Sequence, residues 1–158
     1  MGAIAKGWAS QRVAEAMPKG VSISVGGNVC ATGAKDEQGT PWVVGVTDPD
    51  GGGDYLHTLN IVDATVVTSG DYQRYYVVDG KPYHHIIHPD TLMPSELWRS
   101  VTIVCPDSGL GDVLSTALFL LSLEEGQALL DTCGAEAMWV DVQNNVFYSD
   151  GFQELIRN

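Results

Sequence analysis

Ser100-Val-Thr-Ile-Val-Cys-Pro-Asp-Ser-Gly-Leu-Gly-Asp-Val-Leu-Ser-Thr-Ala-Leu-Phe-Leu-Leu-Ser-Leu123 changes its hydrophobic pattern partway along. Ser100 to Val104 reads as a strand, and Pro106 to Gly111 reads as the lead into a helix from about Asp112 to Leu123. A second helix follows from Leu123 to about Cys133, with Gly134 as its stop, and short strands are expected over Ala137 to Val142 and Asn145 to Tyr148. Upstream, apolar or alternating runs recur at short intervals: Val21 to Val25, Trp42 to Val46, Leu56 to Val62, Ala64 to Thr68, Tyr72 to Val78 and Lys81 to Ile87. Asp79-Gly80 between the last two marks a tight hairpin. Asp48 to Asp54, with three glycines and three carboxylates, reads as a longer hairpin connection. A helix is expected over Ala5 to Met17, where Ile4, Trp8, Val13 and Met17 recur at roughly helical spacing before Pro18-Lys-Gly20. The order describes an α+β fold: a mainly antiparallel sheet covered by a few helices, in a single domain over residues 1–158.

Composition narrows the function. The 158 residues carry 8 Lys+Arg against 20 Asp+Glu, a formal charge of −12, which disfavours nucleic acid as a partner. With 44% hydrophobic residues, the chain can fill a core without staples. The longest apolar run, Val113 to Leu123, is interrupted by Ser115, Thr116 and Ser122 and is too short for a membrane span. No signal peptide is visible in the N-terminal residues, so a cytoplasmic location is the expectation for the chain as it stands. Cys30, Cys105 and Cys133 form no C-x-x-C pair and read as small buried hydrophobes. A chain this acidic can hold a phosphate-rich ligand only where helix N-termini and a divalent cation supply the positive potential.

The helix expected from Asp112 is apolar nearly all round, so its few polar groups need partners. Asp112, Ser115 and Thr116 stand at i, i+3 and i+4, which puts their oxygens on one face. They read either as a capping arrangement, with Thr116 bonding back to the carbonyl four residues earlier, or as a hard-oxygen site for Mg²⁺. Along Lys81 to His88, strand alternation sends His84, Ile86 and His88 one way and His85 with Ile87 the other. A titratable ring beside an apolar contact suits a general base near a flat ligand. Neither Val25-Gly-Gly-Asn28 nor Thr68-Ser-Gly-Asp71 matches a P-loop or dinucleotide fingerprint.

Taken in order, Gly2-Ala-Ile-Ala-Lys-Gly-Trp-Ala9, Val25-Gly-Gly-Asn28, Pro41-Trp-Val-Val-Gly-Val46, Thr68-Ser-Gly-Asp-Tyr72, Tyr83-His-His-Ile-Ile87 with Pro89, and Gly111-Asp-Val-Leu-Ser-Thr-Ala-Leu-Phe119 resemble the ApbE-type flavin transferases, FAD:protein FMN transferases, over their C-terminal half. The resemblance implies a protein that uses FAD with Mg²⁺ and moves FMN onto a threonine hydroxyl of an acceptor flavoprotein, releasing AMP. It implies Mg²⁺ held by the Ala3 carbonyl and the side chains of Asp112, Ser115 and Thr116, contacts from Lys6 and Ile87 to the flavin nucleotide, and His85 as the base. Because it covers half of the family's length, a second copy or another chain completing the pocket is implied as a partner. The alternatives are a non-catalytic flavin-binding remnant and an FAD pyrophosphatase giving FMN and AMP. Two positions depart from the family pattern: His88 stands where an aspartate is usual, and Leu92 where a glycine follows the threonine.

Overall fold

The computed structural model describes residues 2–51 and 53–157. The chain forms α1 (Gly2–Ala16), β1 (Val21–Val25), β2 (Asn28–Thr32), β3 (Trp42–Thr47), β4 (Tyr55–Ile61), β5 (Thr65–Gly70), β6 (Tyr75–Val78), β7 (Lys81–His84), β8 (Trp98–Cys105), α2 (Ser108–Leu120), α3 (Leu123–Cys133), β9 (Glu136–Asp141) and β10 (Val146–Tyr148), followed by a short 3₁₀ turn over Phe152–Leu155. Six strands make an antiparallel sheet in the order β1-β2-β5-β8-β9-β10, while β3-β4 and β6-β7 are separate hairpins. This is the α+β architecture expected from the sequence. Among the described residues, no helix is long and apolar enough to cross a membrane.

The sheet is buried on both faces, and strand alternation decides which residue goes where. From β8 and β9, Val101, Ile103, Cys105, Ala137 and Trp139 turn towards Leu114, Leu118 and Phe119 of α2. Val104, Met138 and Val140 turn the other way, onto Val44, Val46, Leu59 and Ile61 of the β3-β4 hairpin and Phe152 of the terminal turn. Two cores therefore share one sheet, which is why β8 and β9 read as nearly continuous apolar runs.

Several boundaries differ from the sequence expectation. Helix α1 starts at Gly2, and β2, not anticipated, returns along β1 through a turn in which Gly26 and Gly27 have φ of 54° and 93°. The run from Tyr72 forms a strand only from Tyr75, and the run to Ile87 leaves its hairpin after His84, Ile87 then bridging to Pro94. Helix α2 begins at Ser108, not Asp112: Asp107 is its cap, accepting from the Leu110 amide at 2.7 Å. Glycine's low helix propensity made Ser108-Gly-Leu-Gly111 look like a loop. The backbone stays helical there because Gly111 lets α2 lie against the sheet: a Cβ at that position would come within 3.0 Å of Val67 and 3.2 Å of the Cys105 sulfur. Asp79-Gly80 makes the expected tight hairpin, with φ of 50° and 80°.

Candidate active site

Two remote segments, α1 and the head of β2, converge on the Asp112 carboxylate of α2. Helix α1 crosses α2 so closely that a Cβ on Gly7 would stand 2.1 Å from the Ser108 carbonyl oxygen and 2.6 Å from Asp112 Cβ. This contact lets the Gly7 amide donate to Asp112 Oδ2 at 2.8 Å. The Gly26-Gly27 turn places Asn28 at the head of β2, fully buried, where its Nδ2 donates to Asp112 Oδ1 at 3.2 Å. Lys6 Nζ donates to Asn28 Oδ1 at 2.5 Å and lies 3.3 Å from Asp112 Oδ1. The Asn28 amide orientation follows from its partners, because an ammonium can only donate and a carboxylate can only accept.

Helix periodicity brings Ser115 and Thr116 to the same place. Both hydroxyls donate to the Asp112 carbonyl, at 3.0 and 3.3 Å, and Ser115 Oγ also accepts from Ser69 Oγ at 2.9 Å. Of the capping arrangement expected from the sequence, the back-bond of Thr116 is present. The capping role of Asp112 is not, because the residue sits in the second turn of α2 behind the Asp107 cap.

The donor set is oxygen only and hard, which fits Mg²⁺ in kind. A carboxylate offers about four lone-pair sites, and three on Asp112 are taken by Lys6, Asn28 and Gly7. One remains, together with lone pairs on the half-buried Thr116 hydroxyl and one on Ser115. No group of three or more His, Cys, Asp or Glu side chains comes together among the described residues, so an ion here would rest on one carboxylate, hydroxyls and backbone oxygens. Ala3 belongs to the first turn of α1, and its side chain lies outside the described residues.

His85 and Ile87, the other two residues expected at the site, lie on the segment that leaves β7. They share the exposed side of the segment leaving β7, while Ile86 is buried and His84 and His88 are half-buried on the other side, as alternation requires. His85 Nδ1 lies 3.2 Å from the Arg74 carbonyl oxygen, an obligate acceptor, so the neutral ring carries its proton on Nδ1 and leaves the Nε2 lone pair outward. His84 is spent structurally, its Nε2 on the Ser95 carbonyl at 2.7 Å and its Nδ1 accepting from the Ile86 amide at 3.3 Å. No hydrogen bond or ion pair among the described residues connects His85 or Ile87 with the Asp112 cluster. A cavity of about 600 Å³ walled by Tyr72, Tyr75, Tyr83, His84 and Trp98 lies on the inward side of this segment and includes none of the predicted site residues. Burial pushes the Asp71 carboxyl at its edge upward, against the pull of Arg99 and His84.

Residues 1–139 match the model of the ApbE family. The chain belongs to that family. An FAD:protein FMN transferase of Treponema pallidum is 34% identical over 99% of this chain and 47% of its own length, and one of Klebsiella pneumoniae is 39% identical over 82% and 41%. The crystal structure of the ApbE protein of Thermotoga maritima superposes with a TM-score of 0.90 at 34% identity, covering 99% of this chain and 53% of that one. That of the apo flavinyl transferase ApbE of Pseudomonas stutzeri gives 0.74 at 28% identity, over 98% and 50%. The chain thus spans about half the length of the ApbE relatives it matches.

Within the ApbE fold, Lys6 is brought to the Asp112 carboxylate and Ser115 and Thr116 follow one helical turn along α2, whereas His85 and Ile87 form a separate exposed pair. Sequence reasoning passed over Asn28 and Ser69 as site residues. Each lay inside a quoted motif, Val25-Gly-Gly-Asn28 and Thr68-Ser-Gly-Asp-Tyr72. The usable signal was a polar residue at the turn end of an apolar strand, Asn28 opening β2 after the Gly26-Gly27 turn and Ser69 next to the end of β5.

Proposed function

We propose that this chain is the part of an Mg²⁺-dependent FAD:protein FMN transferase that positions the diphosphate and the base, moving FMN from FAD to a threonine hydroxyl of an acceptor flavoprotein with release of AMP. The observation that carries this reading is the convergence of Lys6, Asn28 and Asp112 from three remote segments in a chain 34% identical to an FAD:protein FMN transferase.

Asp112, Ser115 and Thr116, with the Ala3 carbonyl, would hold Mg²⁺, which neutralises diphosphate charge and stabilises the charge developing as the bond to AMP breaks. Asn28 and the Gly7 amide fix the carboxylate on two sides, so its remaining lone pair keeps one direction. Lys6 and Ile87 bind the flavin nucleotide. His85 accepts the proton of the threonine hydroxyl at Nε2, the threonine oxygen bonds to the phosphorus of the FMN half, and the phosphorus–oxygen bond to AMP breaks with its electron pair leaving on AMP. The Arg74 carbonyl supports this role by holding the ring in the tautomer whose free nitrogen faces outward. A second copy of the chain, or another chain, would complete the pocket.

The test incubates the purified chain with FAD and Mg²⁺, with and without an acceptor domain bearing the target threonine, and follows AMP, free FMN and protein-bound flavin. Covalent flavin and AMP in equal amounts are expected, falling about 10²–10⁴-fold in His85→Gln. Free FMN and AMP without bound flavin would make the chain a pyrophosphatase, and no AMP in either mixture would leave a non-catalytic flavin-binding protein. Either result overturns the reading.

A further inference from the structure

The Lys6–Asp112 pair is asymmetric. The Lys6 side chain is 31% exposed and that of Asp112 only 7%. The lysine stem lies along the Gly26 turn, where a Cβ would come within 3.2 Å of Lys6 Cδ, and is partly open to solvent, while its Nζ also donates to Asn28 Oδ1. The carboxylate is anchored from inside by the Gly7 amide and by Asn28. The ammonium can therefore leave the site and the carboxylate cannot. No other Lys or Arg pairs with Asp112 among the described residues, and a carboxylate this deeply buried is costly without a cation beside it.

We infer that Lys6 is the resident counter-ion of Asp112 and exchanges with the divalent cation, so that the ion is admitted only as the ammonium withdraws. This rests on the metal reading above and adds to it. The ammonium at Oδ1 and an ion at the lone pair left on Oδ2 draw on one carboxylate and repel each other, so their binding is linked with negative sign. The acidic chain thereby keeps Asp112 neutralised before any metal arrives. The bare ion binds more weakly than the donor set alone would allow, which favours its entry together with a diphosphate that supplies further oxygens.

The experiment uses Mg²⁺ alone, without nucleotide, titrated calorimetrically into the full chain, with parallel thermal melts in Mg²⁺ and in chelator. Lys6→Met keeps the stem and removes the charge. It should bind Mg²⁺ roughly two- to fivefold more tightly than the natural chain, a size suited to a partly exposed pair. It should also melt lower in chelator and recover in Mg²⁺ by more than the natural chain does. Lys6→Arg, which retains the charge, should show no tightening. A merely structural lysine would weaken or leave unchanged the affinity of its variant, so unchanged or weaker binding by Lys6→Met, in a natural chain that does bind, overturns the exchange while sparing the metal site. Binding that survives intact in Asp112→Asn, or that is absent from both the natural chain and Lys6→Met, removes the metal reading and the exchange with it.

Discussion

Replacing Gly7 by alanine tests the contact on which the site is built. In an ordinary helix interior the change adds about 1 kcal/mol of stability, because alanine has the higher helix propensity. Here the new methyl would meet the Ser108 carbonyl oxygen at 2.1 Å and Asp112 Cβ at 2.6 Å. Neither is the free end of a flexible side chain, so α1 and α2 must separate. Overpacking of this kind costs about 1–3 kcal/mol. Separation also stretches the 2.8 Å bond from the Gly7 amide to the buried carboxylate, a charge-assisted bond of the class worth about 1.5–3 kcal/mol. Set against the propensity gain, the net loss is about 1.5–5 kcal/mol, which in a chain of this size lowers the melting temperature by roughly 3–20 °C. Urea denaturation followed by tryptophan fluorescence and circular dichroism reads it directly. Because propensity alone gives the opposite sign, a Gly7→Ala chain as stable as the natural one would refute the close helix crossing and the amide bond to Asp112 together.

Leu92 holds φ of 56° at 75% exposure, a left-handed conformation that costs a branched side chain about 1–2 kcal/mol, so Leu92→Gly should gain up to about 1 kcal/mol after the entropy of glycine is charged against it. A midpoint shift to higher urea is the expected reading, and a shift to lower urea would mean the side chain contributes packing. The thiol of Cys105, pushed up to about 12 by burial, should stay unalkylated in native protein at pH 8, while the half-buried Cys133 reacts, as mass spectrometry after brief iodoacetamide treatment would show. Burial lowers the pKa of His57 beneath its ordinary 6.5, so the unfolded chain binds the proton more readily, and this residue's contribution to stability falls as pH drops through 6.5 towards the folded value. His57→Gln should flatten that part of the stability profile, and an unchanged profile would exclude His57 as its source. Leu118, a fully buried residue on the inner face of α2, should cost about 2–5 kcal/mol on truncation to alanine, measured by the same denaturation.

Local pattern carried much of the architecture. The end of α3 at Cys133 was legible because Gly134, left-handed in the structure, closes the helix, and the structure adds a capping box of Ser122 with Glu125 at its start. The Asp79-Gly80 hairpin was legible because both residues tolerate positive φ. The start of α2 was not. Glycines at 109 and 111 lower helix propensity locally, yet the missing side chain at 111 is what lets α2 pack against the sheet. Strand β2 was missed for a similar reason: Asn28 is a poor strand residue by propensity, and it is buried there to bind Asp112 across 84 positions of sequence.

The spacing Asp112, Ser115, Thr116 and the alternation through His84 to Ile87 were determined by the sequence alone, since helix and strand periods are set by local backbone geometry. Which groups those residues meet was decided only by the tertiary structure. Lys6, Gly7, Asn28 and Ser69 reach the α2 face through the crossing of α1 and the antiparallel order of β2, β5 and β8. No local period encodes those encounters, because they depend on which apolar faces bury one another when the whole chain packs.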